Sequence, residues 1–251
     1  MRLLDHRHAW LAAVLTLSLA WCGLAADLRA ATLLSPGAAV LVRKSAEPFG
    51  LPTAALTYGA LREKWLDVAR KLDHERVQLA RCEGDRKHCA APAALALLAI
   101  VDAGRQRKGR ARLGEINRAI NLAIKPMSDL AQYGQDDVWS SPLVTFAHGG
   151  GDCEDYAIAK LEALRLAGVA PDDLRIVVMR DSLSGDGHAV AAARLDGDWL
   201  TLDNRRMAMV EDADIRNYRP LFVIDQNSVM QYAQAPLLAN LTDRDLAASQ
   251  H

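Results

Sequence analysis

The chain has 251 residues, 51% of them hydrophobic and 24% charged, with 30 Lys and Arg against 31 Asp and Glu. That composition belongs to a globular protein with one sizeable core, and it excludes a disordered, collagen-like or coiled-coil chain. A formal net charge of -1 provides no bulk field for nucleic acid or an anionic membrane, and four cysteines are too few for a disulfide scaffold.

At the N-terminus, Arg2 and Arg7 precede the apolar run Ala9 to Ala26, which ends in small residues. This is the layout of a secretory signal peptide, with an uncleaved membrane anchor as the alternative. Gly23-Leu24-Ala25 fits a small-x-small cleavage site, so Cys22 would leave with the signal. Leu19-Ala20-Trp21-Cys22 has the outline of a lipobox, but bulky Trp21 stands where such sites need a small residue. The expected organisation is a signal peptide over residues 1–26, an N-terminal segment over 27–53, and one domain over 54–251.

Residues 54–81 carry Leu61, Trp65, Val68 and Leu72 at helical spacing. Cys82 and Cys89 then bracket a short polar loop, and in an oxidising compartment that spacing predicts a local disulfide. In the chain-entropy model such a bond is worth about 2 to 3 kcal/mol. The alternative is a metal site with His88, which would have only three adjacent ligands. Residues 91–103 open with Pro92 and read as a buried helix. Leu113, Ile116, Ile120 and Ile124 mark a third helix, stopped before Pro126. A fourth is expected from Asp152, a good N-cap, to Gly168, a natural C-cap.

Strand patterns follow at Leu174–Met179, His188–Leu195, Trp199–Asp203 and Leu221–Ile224, with Asp196-Gly197 as a two-residue hairpin turn. Helices followed by strands predict an α+β domain: N-terminal helices plus an antiparallel sheet.

The chemistry concentrates in Gly149-Gly150-Gly151-Asp152-Cys153-Glu154-Asp155-Tyr156. A thiol in the first turn of a helix, behind a glycine run, is expected to have a lowered pKa and to be accessible, as a nucleophile requires. A small buried structural cysteine is the competing reading. A phosphate loop is disfavoured, because no Lys-Ser/Thr follows the glycines and three acidic residues would repel phosphate. A nucleophile also needs a base and a group to orient it. With Asp196 and Gly197 as the turn, Asp203 faces Val190 and is a diagonal neighbour of His188, roughly 7 to 8 Å away at the backbone and within reach of a His-carboxylate hydrogen bond. Cys153, His188 and Asp203 therefore form a candidate triad in the papain-type order, with a zinc site as the alternative use of the same residues.

The run Gly150-Gly151-Asp152-Cys153-Glu154-Asp155-Tyr156-Ala157, with Asp137 and Trp139 upstream and Gly187-His188-Ala189-Val190 and Leu202-Asp203-Asn204 downstream, resembles the bacterial transglutaminase-like cysteine proteinases. The resemblance spans roughly Asn117 to Tyr232. It implies a papain-like transglutaminase core with Cys153 as nucleophile, His188 as base and then acid, and Asp203 orienting the histidine. It also implies calcium (Ca2+) bound by acidic residues beside the cysteine: Asp152, Glu154 and Asp155. Three clustered acids equally read as a cap and a dipole-matched first turn. Further implications are a periplasmic location, release of a large surface adhesin by cleavage near Ala-Ala, and sequestration by an inner-membrane receptor that reads cyclic-di-GMP. Trp139 reads as a shield near the site, and Arg205 and Arg206 as a solvated face or part of a substrate groove. An amidase or transglutaminase using the same acyl-enzyme, and a non-catalytic calcium-dependent binding module, remain the alternatives.

Overall fold

The computed structural model describes residues 45–233. The expected signal peptide with Cys22, the N-terminal segment up to residue 44 and the tail from Gln234 lie outside the described residues.

The elements run β1 (Thr53–Ala55), α1 (Ala60–Gly84), α2 (Pro92–Arg105), α3 (Gly109–Ala123), β2 (Lys125–Pro126), α4 (Asp129–Tyr133), α5 (Pro142–His148), β3 (Gly150–Gly151), α6 (Cys153–Leu166), β4 (Leu174–Asp181), β5 (Gly187–Leu195), β6 (Asp198–Leu202), β7 (Val210–Glu211), β8 (Tyr218–Ile224) and β9 (Val229–Tyr232). The α+β reading therefore holds. The apolar stripe of α1 runs through Trp65, Val68, Leu72, Leu79 and Cys82, all buried. Cys82 is joined to Cys89, the disulfide expected from their spacing.

Seven strands form one sheet in the order β1-β9-β8-β4-β5-β6-β7, every pair antiparallel. Asp196 and Gly197 both have positive φ, 54° and 98°, as a two-residue turn that follows the strand twist requires. That turn pairs Leu195 with Asp198 and Ala191 with Leu202, the register read from the sequence. The alternation of β4 and β5 then sends side chains to two faces. Ile176, Ala189, Ala191 and Ala193 pack with the helices. Val177, Met179, Val190, Ala192 and Trp199 form a second cluster on the other face.

The small side chains on the first face let α6 lie close against the sheet, and Glu154 to Leu164 of that helix are buried on every side. Residues 45–51 cover the second face. Phe49 and Leu51 pack on it, Trp199 Nε1 donates to the Ala46 carbonyl at 2.9 Å, and the Tyr232 hydroxyl donates to the Pro48 carbonyl at 3.0 Å. Part of the expected N-terminal segment is thus built into the domain. Among the described residues no helix is long and apolar enough to cross a membrane.

Candidate active site

The segment before Cys153 is shaped from several directions. Glu75 of α1 is buried and holds the start of α5: it accepts from the Ser141 hydroxyl at 2.5 Å and the Leu143 N–H at 3.1 Å. The α5 helix ends on Gly149, left-handed at φ 70°. β3 then lies parallel to β2, pairing Gly150 with Lys125 and Gly151 with Pro126. A Cβ on Gly151 would sit 2.6 Å from Asp155 Oδ2, so only glycine lets the first turn of α6 close there. The glycines therefore route the chain, and the close approach they permit is to Asp155.

Cys153 is the first residue of α6 and is half-buried, with Asp152 in the N-cap position. Its thiol donates to Glu154 Oε2 at 3.1 Å. Burial, then the Glu154 carboxylate, push the thiol pKa up, and the Ala189 N–H pulls weakly the other way. This corrects the lowered pKa and ready access expected from helix position. The partial charge of a helix end is outweighed by desolvation and by two adjacent carboxylates.

His188 is buried on β5, and its Nε2 lies 2.9 Å from Asp203 Oδ1. Asp203 follows the last residue of β6. Burial raises its pKa, but the His188 hydrogen bond and charge, the Arg205 N–H and Lys160 together hold it below the ordinary carboxylate value. An ionised Asp203 makes Nε2 the donor, which leaves Nδ1 as the basic nitrogen; it is buried without a hydrogen-bond partner among the described residues. The Tyr218 ring covers the imidazole at 5.4 Å between centroids. The adjoining Ala189 N–H acts on the Cys153 thiol, so the strand that carries the histidine borders that side chain.

Of the expected metal ligands, Asp152 and Glu154 come together with Asp129, each offering an oxygen within 4.8 Å of the others. Asp155 is outside this trio: its Oδ1 accepts the Ser140 N–H at 2.8 Å. Among the described residues, Oδ1 of both Asp129 and Asp152 is buried with no hydrogen-bond partner, as is Asp155 Oδ2. Burial, then the hydrogen bond and charge of Glu154, push the Asp152 pKa up to about 8. Burial raises Asp129 and Glu154 as well. A hard divalent cation fits such a donor set, because it would fill the orphaned oxygens and relieve the mutual repulsion. Beside the trio, Trp139 is buried and donates from Nε1 to Asp137 Oδ1 at 3.0 Å, while Lys64 Nζ donates to the Asp137 carbonyl at 2.6 Å.

Several site residues escaped sequence reasoning. Asp129 reaches Asp152 through the β2–β3 pairing of residues distant in sequence. Asn121 Nδ2 donates to the carbonyls of Asp203 and Arg206, both at 3.0 Å, and Asn117 donates to Met207 at 3.0 Å. The signal for this pair was present as two asparagines four apart beside the apolar stripe of α3. Arg205 and Arg206 are exposed, and Arg205 Nη1 donates to the Tyr218 hydroxyl at 3.0 Å.

The model of the bacterial transglutaminase-like cysteine proteinases matches residues 78–233. The chain belongs to this family. It is therefore a cysteine peptidase. Among solved structures, calcium-bound LapG of Legionella pneumophila is similar with a TM-score of 0.50 and 23% identity, over 61% of this chain and 89% of that one. A second LapG structure gives 0.50 and 24%, over 61% and 83% of the two chains. EGTA-treated LapG gives 0.50 and 20%, over 74% and 90%. These likenesses show a common fold, consistent with the papain-like transglutaminase core. No curated protein matches.

Proposed function

We propose that this peptidase is an exported endopeptidase that cleaves a protein substrate through an acyl-enzyme on Cys153, with His188 as base and then acid and Asp203 orienting the imidazole. The observation that supports it best is the His188–Asp203 pair, at 2.9 Å, with the remaining ring nitrogen unpartnered on the strand that borders the thiol. His188 Nδ1 takes the thiol proton, and the sulfur attacks the peptide carbonyl carbon. The C–N bond breaks as the imidazolium returns the proton to the leaving amine. Water, deprotonated by the same nitrogen, then hydrolyses the thioester. The backbone N–H groups at the start of α6, which have no partner within the helix, would stabilise the oxyanion.

We propose calcium as the cation for Asp129, Asp152 and Glu154. One of the similar LapG structures is calcium-bound, and the oxygen donors here suit that ion. When bound, it supplies positive charge next to the nucleophile. The family resemblance extends the proposal to a periplasmic enzyme, a large surface adhesin as substrate, a role in biofilm control, and an inner-membrane cyclic-di-GMP receptor as regulator.

The test is proteomics of proteins shed from cells that carry wild-type enzyme or Cys153→Ala. A large surface protein, cut at one position, is expected in the medium only with the wild type. Equal release by both would overturn the reading. Product masses with and without an added amine separate hydrolysis from acyl transfer.

A further inference from the structure

Lys160 is a buried charge that the mechanism above does not use. It is 0% exposed, in the middle of α6, seven residues after Cys153. Seven residues are about two turns, so it lies on the same side of the helix as the nucleophile, roughly 10 Å further along the axis. Its Nζ donates to the Leu202 carbonyl at 3.1 Å. The stem passes the Tyr156 ring, with Nζ 5.7 Å from the ring centroid.

A lysine is an expensive residue to place there. A leucine or methionine would fill the same volume without the cost of desolvating an amine, so packing does not explain the choice. The described residues give Nζ one hydrogen-bond partner, and that partner is the carbonyl immediately before Asp203. Lys160 and Asp203 are also close enough to favour each other's charged forms. The same backbone is gripped from the other side by Asn121, which donates to the Asp203 carbonyl.

We propose that Lys160 is a positioning residue for the His188–Asp203 pair: from the helix that carries the nucleophile, its Nζ holds the Leu202 carbonyl and so fixes the strand end bearing Asp203. One side chain thereby sets the distance between the two halves of the active site. The proposal rests on the catalytic reading of His188 and Asp203, but its first test does not require turnover.

That test is the proton NMR signal of the His188 Nε2–H hydrogen bond, which lies far downfield and should vanish in Asp203→Ala. In Lys160→Met the signal is expected to move upfield or broaden; in Lys160→Gln, whose amide still reaches toward Leu202, it is expected to move less. With an internally quenched peptide containing an Ala-Ala bond, kcat of Lys160→Met should fall about tenfold to a hundredfold with KM within about twofold, because loss of geometry acts on the reaction step. Lys160→Gln should recover part of that loss. A folded Lys160→Met with an unchanged His188 signal would overturn the proposal, as would a loss confined to KM. Should Lys160→Met not fold, the same signal in Lys160→Gln decides: unchanged from wild type, it also overturns the proposal. Full activity in Asp203→Ala would instead sink the catalytic reading on which it rests.

Discussion

The two sides of the active site differ in how completely the protein satisfies them. On the strand side, Asp203 Oδ1 receives both His188 Nε2 and the Arg205 N–H at 2.9 Å, and its carbonyl receives Asn121. On the helix side, Asp129 and Asp152 each leave a buried oxygen without a partner, and Glu154 turns to the Cys153 thiol. On the strand side the chain itself engages the Asp203 carboxylate and leaves His188 Nδ1 open among the described residues. The helix side is a set of carboxylates whose pKa values are raised first by burial, and at Asp152 also by Glu154, an arrangement that costs free energy until positive charge arrives. The difference teaches that the His188–Asp203 pair is held by the chain itself, whereas the state of the Cys153 thiol is left to the surroundings of Glu154.

The sharpest way to break this contrast is on the strand side. Asp203→Asn keeps the shape but removes the charge that fixes the tautomer, so kcat/KM for peptide cleavage should fall by about 10²- to 10⁴-fold. A loss of less than tenfold would mean that the pair is not needed as drawn.

On the incomplete side, the expected effect is on stability. Calcium at about a hundred times its dissociation constant should stabilise the wild type by about 2.7 kcal/mol, measured as a rise in Tm. Asp129→Asn should lose most of that rise, while Asp155→Asn should keep most of it, because Asp155 lies outside the trio and its Oδ1 accepts the Ser140 N–H. Equal responses in the two variants would refute the trio.

A smaller effect concerns pH. Asp152 and Asp155 titrate in the fold near about 8 and about 7, above the ordinary value of 3.8. The folded state without a cation therefore holds more protons than the unfolded one, so this contribution to stability is present in acid and is lost as pH rises through those values. Lys160, lowered to about 7 from 10.5 by burial, has the opposite slope above pH 7. The clean window is therefore roughly pH 5 to 7: chelated protein should melt higher at pH 5 than at pH 7, and Asp152→Asn should flatten that trend. A wild-type Tm that falls on acidification in this window would contradict the assignment.

The contrast also explains which parts were legible in the sequence. His188 and Asp203 were readable because a two-residue Asp-Gly turn sets a strict register, and register alone brings the two side chains together. Capping preference, with Asp152 before it and Gly168 beyond the far end, placed Cys153 at a helix start. Asp129 was not readable, since it joins Asp152 only after two dipeptides 25 positions apart pair as β2 and β3. Glu154 looked like a helix-dipole residue. Whether its side chain turns to solvent or to the neighbouring sulfur depends on burial, which the sheet and helices impose together. Lys160 was hidden for a related reason: a single lysine in an apolar helix normally marks the solvated side, and α6 has none.

A single helix with its N-cap residue thus carries the Cys153 thiol, two carboxylates of the acidic trio and the lysine that grips the opposite strand. Each added residue turns an α-helix by 100°, so one insertion between Glu154 and Lys160 would swing the lysine away from Leu202 while leaving the thiol in place. Over evolutionary time this stretch should keep its length even where the letters between these residues vary. Gain and loss of residues would be confined to loops such as Ser182–Asp186, which makes the spacing itself a diagnostic that survives when sequence similarity has faded.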